Sequence, residues 1–301
     1  MSHELSPYER TARAEIEAWR SRPPGGLAKR IDQLTKPVDV VLSKALERRV
    51  LHRALDGVMG VVLDGAGTTL SEKRVVESYR RLGYPVDRLE DIRTSVPLEA
   101  MDRQAAKLAK VYRVALVAEG GGAGLAAAFP PVAVPALAAD VVAVSTVATR
   151  AATHYAMTYG FRVESPPERA LALSVLNGAT SPDLGAKQVA LAEVARVAKM
   201  VVQKKTWEEL EKRALVRAIR QAAKTLTNRL TKAKLGQLVA VVGIVLGGGY
   251  NGWYMSRVAE WGYYTYRELH LKERTRLAGL ESGEGGRSAS DGPVDDEAQA
   301  A

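Results

Sequence analysis

Apolar positions recur at helical spacing along most of this chain. Over 38–63 the series Val41, Leu42, Ala45, Leu46, Val50, Leu51, Ala54, Leu55, Val58 and Val62 keeps one face apolar turn after turn, the pattern of a helix docked on a core. Tyr8, Ala12, Ile16 and Trp19 do the same near the N-terminus. Ahead of them Ser6-Pro7-Tyr8-Glu9 reads as a capping box with proline at the first helical position, and Pro23-Pro24-Gly25-Gly26 ends the helix. A short helix is expected over 27–34, and Ser71 opens another to about 82. A polar connection over 87–94 with one helical turn then leads into a helix over 96–118. Ser165-Pro166-Pro167-Glu168 and Thr206-Trp207-Glu208-Glu209 are further capping boxes. They predict helices over 168–177 and from 206 onward, with another over 183–205 between them.

Two stretches depart from this amphipathic rhythm. Between Glu119 and Asp140 there are 20 residues without a charge, opening on Gly120, Gly121, Gly122 and Gly124 and interrupted by Pro130, Pro131 and Pro135. Prolines so close together oppose one continuous helix, because each removes a backbone donor and crowds the carbonyl four residues back. Two apolar helices joined by a proline-rich turn are therefore expected, the second running from 132 or 136 to 159. The other stretch, 235–256, is uncharged over 22 residues and holds Gly243, Gly247, Gly248, Gly249 and Gly252. Glycines spaced along a helix leave a flat strip where another backbone can approach, so the two glycine-rich regions should pack on each other. A bilayer span, a buried helix pair and a re-entrant hairpin all fit the second stretch by length. Its glycines, Gln237 and Asn251 favour burial in protein. A helix over 257–277 with Trp261, Tyr264, Tyr266 and Leu269 completes the pattern, and the Gly-, Ser- and acid-rich remainder is expected to be disordered. The predicted fold is all-α: one domain over 1–278 of roughly ten helices around two glycine-rich apolar hairpins, with a tail over 279–301.

Composition narrows the chemistry. Aromatics make up only 6% of the chain against 47% apolar residues, so the core must be built from Ala, Val and Leu. The absence of cysteine removes disulfides, thiolate metal sites, iron–sulfur clusters and a cysteine nucleophile. The charged N-terminus lacks the apolar core of a secretory signal, so a cytoplasmic location is expected. Net charge is +9, and the segment 281–301 is acidic at −5, leaving +14 on 1–280. Such a body favours anionic partners. Its most directional element carries Leu215, Ile219, Ala222, Leu226 and Leu230 as one stripe and Arg213, Arg217, Arg220 and Lys224 as another. That basic stripe runs into the uncharged 235–256, as a polybasic patch beside a cytoplasmic membrane face would. Nucleic acid is disfavoured, since no aromatics are interleaved for base stacking.

Candidate catalytic groups are few. His52, among Arg48, Arg49 and Arg53, is a poor metal ligand, and no metal or cofactor site is expected. The glycine run 120–124 has no strand before it and no Lys-Ser/Thr after it, so it does not read as a phosphate loop. Asp140 and His154 fall on one side of the second apolar helix, about 21 Å apart along its axis at 1.5 Å per residue, too far for a direct pair. A buried aspartate needs a partner. Asn251 or a helix N-terminus is expected to supply it.

Gly120-Gly121-Gly122-Ala123-Gly124, Ala138-Ala139-Asp140, Tyr159-Gly160, the later glycine-rich segment with Asn251, and the opening Tyr8-Glu9 with Trp19 eleven residues after Tyr8 together resemble the bacterial EcsC family. The founding members of that family are encoded beside an ABC transporter, and the resemblance spans roughly 7–272. It implies Asp140 and Asn251 as characteristic polar positions and a place near a membrane transporter, and it brings no catalytic residue set. The functional expectation is a non-enzymatic accessory protein, cytoplasmic or peripheral at the inner membrane face, with basic helices toward anionic lipid or an acidic partner. The alternative is a hydrolase or a protein handling an apolar ligand, with a cavity around Asp140, His154 and Asn251. Enzyme status stays open at this point, with no nucleophile–base pair at recognisable spacing.

Overall fold

A computed structural model describes residues 5–25, 44–63, 70–126, 130–203, 209–239 and 243–287, with side chains over 5–25, 49–61, 70–112, 135–202, 216–234 and 250–276. Among them are ten α-helices, one 3-10 turn and no strand. In chain order they are α1 (Pro7–Ser21), α2 (Lys44–Leu63), α3 (Glu72–Arg80), the 3-10 turn Leu89–Asp91 and α4 (Ile92–Ser95). Then follow α5 (Leu98–Ala126), α6 (Pro130–Thr158), α7 (Pro166–Ala179), α8 (Leu184–Gln203), α9 (Glu209–Val239) and α10 (Gly243–Arg287). The protein is an all-α bundle.

Helix starts follow the side chains that can satisfy orphan backbone N–H groups. Ser6 Oγ accepts from the Glu9 N–H at 3.2 Å while Glu9 Oε2 accepts from the Ser6 N–H at 2.8 Å, and Glu168 Oε2 accepts from the Ser165 N–H at 2.7 Å in the same way. Ser71 precedes α3 but makes no capping bond with its side chain. The box at Thr206 and the short helix expected over 27–34 lie outside the described residues.

Three boundaries differ from the sequence expectation. The glycine run 120–124 continues α5 instead of ending it, and residues 127–129, between α5 and α6, lie outside the described residues. Pro130 and Pro131 open α6, where a missing N–H has no intrahelical acceptor to forfeit, so only Pro135 lies inside the helix. Finally, α10 is one helix of 45 residues where a glycine-rich segment and a separate helix were expected, and it runs on past 278 to Arg287. Glycine lowers helix propensity by about 1 kcal/mol per residue, a cost that packing against neighbours can exceed.

Helix α6 lies at the centre, packed on α2, α5, α7, α9 and α10, and the most extensive contact among the described residues is between α5 and α10. Val141, Val144, Ala148, Ala151, Ala152 and Tyr155 of α6 are all buried. By length and hydropathy, α6 over Pro135–Thr158 could also cross a membrane, yet 56% of that window is covered inside the molecule. Its C-terminus turns on Gly160, whose φ of +78° suits glycine alone among common residues. There the Phe161 N–H reaches the Ala156 carbonyl and the Gly160 N–H the Met157 carbonyl, each at 2.9 Å, closing the last turn as a Schellman motif.

The scarce aromatics gather where α1 meets α10. Trp19 stands edge-on to Trp261 at 5.2 Å and stacks on Tyr264 at 4.6 Å. Lys187 of α8, also buried, hydrogen-bonds to the Trp19 carbonyl and, at 2.9 Å, to the Arg22 carbonyl, holding the end of α1. Trp261 in turn presses on α7 at Gly178, where an added Cβ would lie 2.3 Å from a ring carbon. Gly178→Ala is expected to destabilise the fold by about 1–3 kcal/mol through overpacking of a ring with nowhere to move, measured as a lowered urea midpoint with an unchanged slope.

Candidate functional site

Three polar constellations are buried in this apolar bundle. The first joins α6, α9 and α10. Lys234 Nζ lies 2.7 Å from Asp140 Oδ2 and donates to Asn251 Oδ1 at 2.7 Å. Asn251 and Lys234 are 1% and 4% exposed. Asp140 and Asn251 thus meet through a lysine, not directly. Burial holds the Lys234 amine below the usual lysine pKa, with the Asp140 carboxylate opposing that shift. Lys234 follows Leu226 and Leu230 at four-residue spacing on the buried stripe of α9. A cation in register with an apolar stripe was the signal that could have identified it.

His154 belongs elsewhere. Its Nδ1 is 3.1 Å from the Tyr112 hydroxyl of α5, and it lines a pocket of about 530 Å³ bounded by α3, α5 and α6 that neither Asp140 nor Asn251 lines. Burial, with Arg150 adding to it, lowers the His154 pKa to about 4. The ring is therefore neutral at pH 7. The cavity around Asp140, His154 and Asn251 that the alternative reading called for is not formed among the described residues, and the 14 positions of α6 between Asp140 and His154 keep them apart as the helix rise implies.

The third constellation surrounds Asp102 of α5, which sequence reasoning passed over. Its carboxylate accepts from the Tyr8 hydroxyl at 2.8 Å and the Tyr159 hydroxyl at 2.7 Å. Arg267 Nε lies 2.8 Å from Oδ2 as an ion pair without a well-directed hydrogen bond, and Arg267 also donates to Glu15 at 2.6 Å. Burial raises the Asp102 pKa, while Tyr159, Arg267 and Tyr8 act in the opposite direction. Next to Tyr8, Glu9 is buried and receives Arg274 at 2.5 Å. Tyr8 and Tyr159, far apart in the chain, thus converge on one carboxylate, tying α1, α5, the end of α6 and α10. A lone aspartate after Met101 carries no sequence signal of its own. Only the arrival of two tyrosines and an arginine distinguishes it.

A fourth feature is on the surface. Ile219, Ala223, Leu226 and Leu230 of α9 are buried, while Arg217, Arg220 and Lys224 are exposed. No carboxylate among the described residues pairs with these three, and Val216 beside them is 44% exposed. Arg213 and Leu215 lie outside the described side chains. His52 is on the surface with Asp56 at 3.6 Å, and no group of three or more metal-ligating side chains occurs among the described residues.

A model of the EcsC protein family matches residues 10–271, a span that holds Asp102, Asp140, Lys234, Asn251 and Arg267. This chain belongs to the EcsC family. It is also 26% identical over 231 residues to the uncharacterized protein YdbA of Bacillus subtilis (strain 168), covering 76% of this chain and 80% of that protein. No solved structure matches it.

The buried charges of this EcsC chain have measurable consequences. Lys234→Met leaves Asp140 without its cation and is expected to cost about 3 kcal/mol, the low end for breaking a buried pair because Asp140 keeps some access to water. Adding Asp140→Asn is expected to restore much of that loss, a coupling read from a double-mutant cycle in urea unfolding. His270 is 1% exposed, and neither ring nitrogen has a partner among the described residues. Burial, then Arg274, lowers its pKa to about 4. Between about pH 6.5 and 4 the unfolded chain binds the proton that the folded state refuses, so this contribution is present above pH 6.5 and lost as pH falls. Stability is expected to drop by on the order of 3 kcal/mol more in the wild type than in His270→Leu over that window, measured as unfolding free energy against pH.

Proposed function

We propose that this protein is a non-catalytic, membrane-peripheral accessory protein that acts at the cytoplasmic face and docks on anionic lipid through the basic face of α9. The observation that carries this reading is the set of exposed cations Arg217, Arg220 and Lys224, opposite a buried apolar stripe and unmatched by carboxylates among the described residues. Structural cations of this protein behave differently: Arg267, Lys234 and Arg274 are each held by an acid. A basic residue near an anionic bilayer contributes about 1 kcal/mol, so three suffice for reversible association that salt weakens. Val216 would enter the interfacial region beside them. Within this reading an ABC transporter in the same membrane is the protein partner, since founding members of the family are encoded beside one.

A hydrolase centred on Asp140 has less support, because its carboxylate engages Lys234 and the pocket beside His154 does not reach it.

In co-sedimentation with vesicles, binding is expected to rise with the fraction of phosphatidylglycerol over phosphatidylcholine and to fall as salt rises. It should drop at least about tenfold in Arg217→Glu/Arg220→Glu/Lys224→Glu. Binding indifferent to lipid charge, salt and the triple variant would sink the reading.

A further inference from the structure

The pocket beside His154 has a composition that neither the fold nor the docking surface explains. Arg74 of α3, Lys107 of α5 and Arg150 of α6 line it, and no carboxylate does. The neighbouring groove, which shares Arg74, shows what an ordinary charged surface of this protein looks like. There Arg80 pairs with Asp87, Arg81 with Glu77 and Arg162 with Glu72. In the His154 pocket, by contrast, Arg74 and Lys107 engage no carboxylate among the described residues.

The rest of the wall sets an aliphatic patch of Leu70, Val75, Leu108, Val111 and Val147 beside Tyr79 and the uncharged polar Ser78, Gln104 and Thr158. Val111 is 61% exposed, a large apolar side chain left at the rim of a cationic opening. Its volume of about 530 Å³ falls within the roughly 300–1,000 Å³ of small-molecule sites. Between the α5 and α6 walls Tyr112 and His154 are bonded to each other, offering neutral polar groups and no competing anion. Ser71, at the start of α3, also faces the pocket with a hydroxyl that caps no backbone N–H.

We infer that this pocket binds a single-chain amphiphilic anion, a fatty-acid carboxylate or monoalkyl phosphate. Its head is held by Arg74 and Lys107, and its chain lies over Leu108, Val111 and Val147. Cations alone would take any small anion, and an aliphatic wall alone any hydrocarbon. The two together select a molecule with both parts. This assignment stands independently of the α9 docking surface, which is on a different helix.

The test is calorimetric titration of the full chain with oleate and with dodecyl phosphate below their micellar concentrations, beside oleyl alcohol and inorganic phosphate. Saturable one-to-one binding of at least one of the two amphiphilic anions is expected, with both comparators at least about tenfold weaker. Arg74→Glu/Lys107→Glu and, separately, Val111→Asp should each weaken binding at least about tenfold. All three positions are exposed or at the rim, so the variants should keep the wild-type Tm. Arg217→Glu/Arg220→Glu/Lys224→Glu should bind the amphiphile as the wild type does. Four results would overturn the assignment: no saturable binding of either anion, equal affinity for a comparator, unchanged affinity in the folded pocket variants, or a matching loss in the α9 variant.

Discussion

Close approach of helix backbones is the constraint on which this bundle depends. Helices α2, α5, α7, α9 and α10 pack around α6, with α3 against it as well, and a helix enclosed on so many sides leaves room only for small side chains on most faces. Ala148, Ala151, Ala152 and Ala156 meet that demand within α6 itself. Its partners meet it with glycine: Gly262 of α10 lies where a Cβ would touch the Tyr155 ring, and Gly57 of α2 where one would strike Val142. Several of the few large rings are grouped where the end of α1 meets the middle of α10, and Trp19, Trp261 and Tyr264 lock the two together.

Small-residue packing is adhesive but carries little information about register, because one alanine face resembles another. The buried charges supply what is missing. Asp140 with Lys234 sets α6 against α9, Asp102 with Arg267 sets α5 against α10, and Glu9 with Arg274 sets α1 against α10. The first two pairs are costly to desolvate and add little net stability, yet each strongly penalises an arrangement that leaves one member alone, while Arg274 reaches the buried Glu9 from a half-exposed position. In the same way Tyr8 and Tyr159, distant in the chain, come to share the Asp102 carboxylate.

Against that interior economy of paired charges, two cationic surfaces are left over. One is the convex face of α9, the other the concave opening between α3, α5 and α6. The ligands proposed for them differ accordingly: a flat anionic sheet for the first, a single molecule for the second. Both are compatible with work near a lipid phase, and neither requires the bundle to open.

Much of this was legible in the chain itself. Helical periodicity, capping boxes at Ser6 and Ser165, and a core of Ala, Val and Leu follow from local physics, since spacing and hydrogen-bonding capacity are properties of neighbouring residues. So does the amphipathic division of α9 between Ile219 and Arg220. Where helices end was less legible: the helix expected to end near 118 continues through the glycines at 120–124, and the glycine-rich segment before 257 joins the helix after it as one α10. Partnerships were least legible of all. That Asp140 finds Lys234, that Asp102 gathers two tyrosines and an arginine, and that His154 turns to Tyr112 depend on which faces meet across the bundle. A one-dimensional pattern declares which residues must be covered, and only the assembled helices decide what covers them.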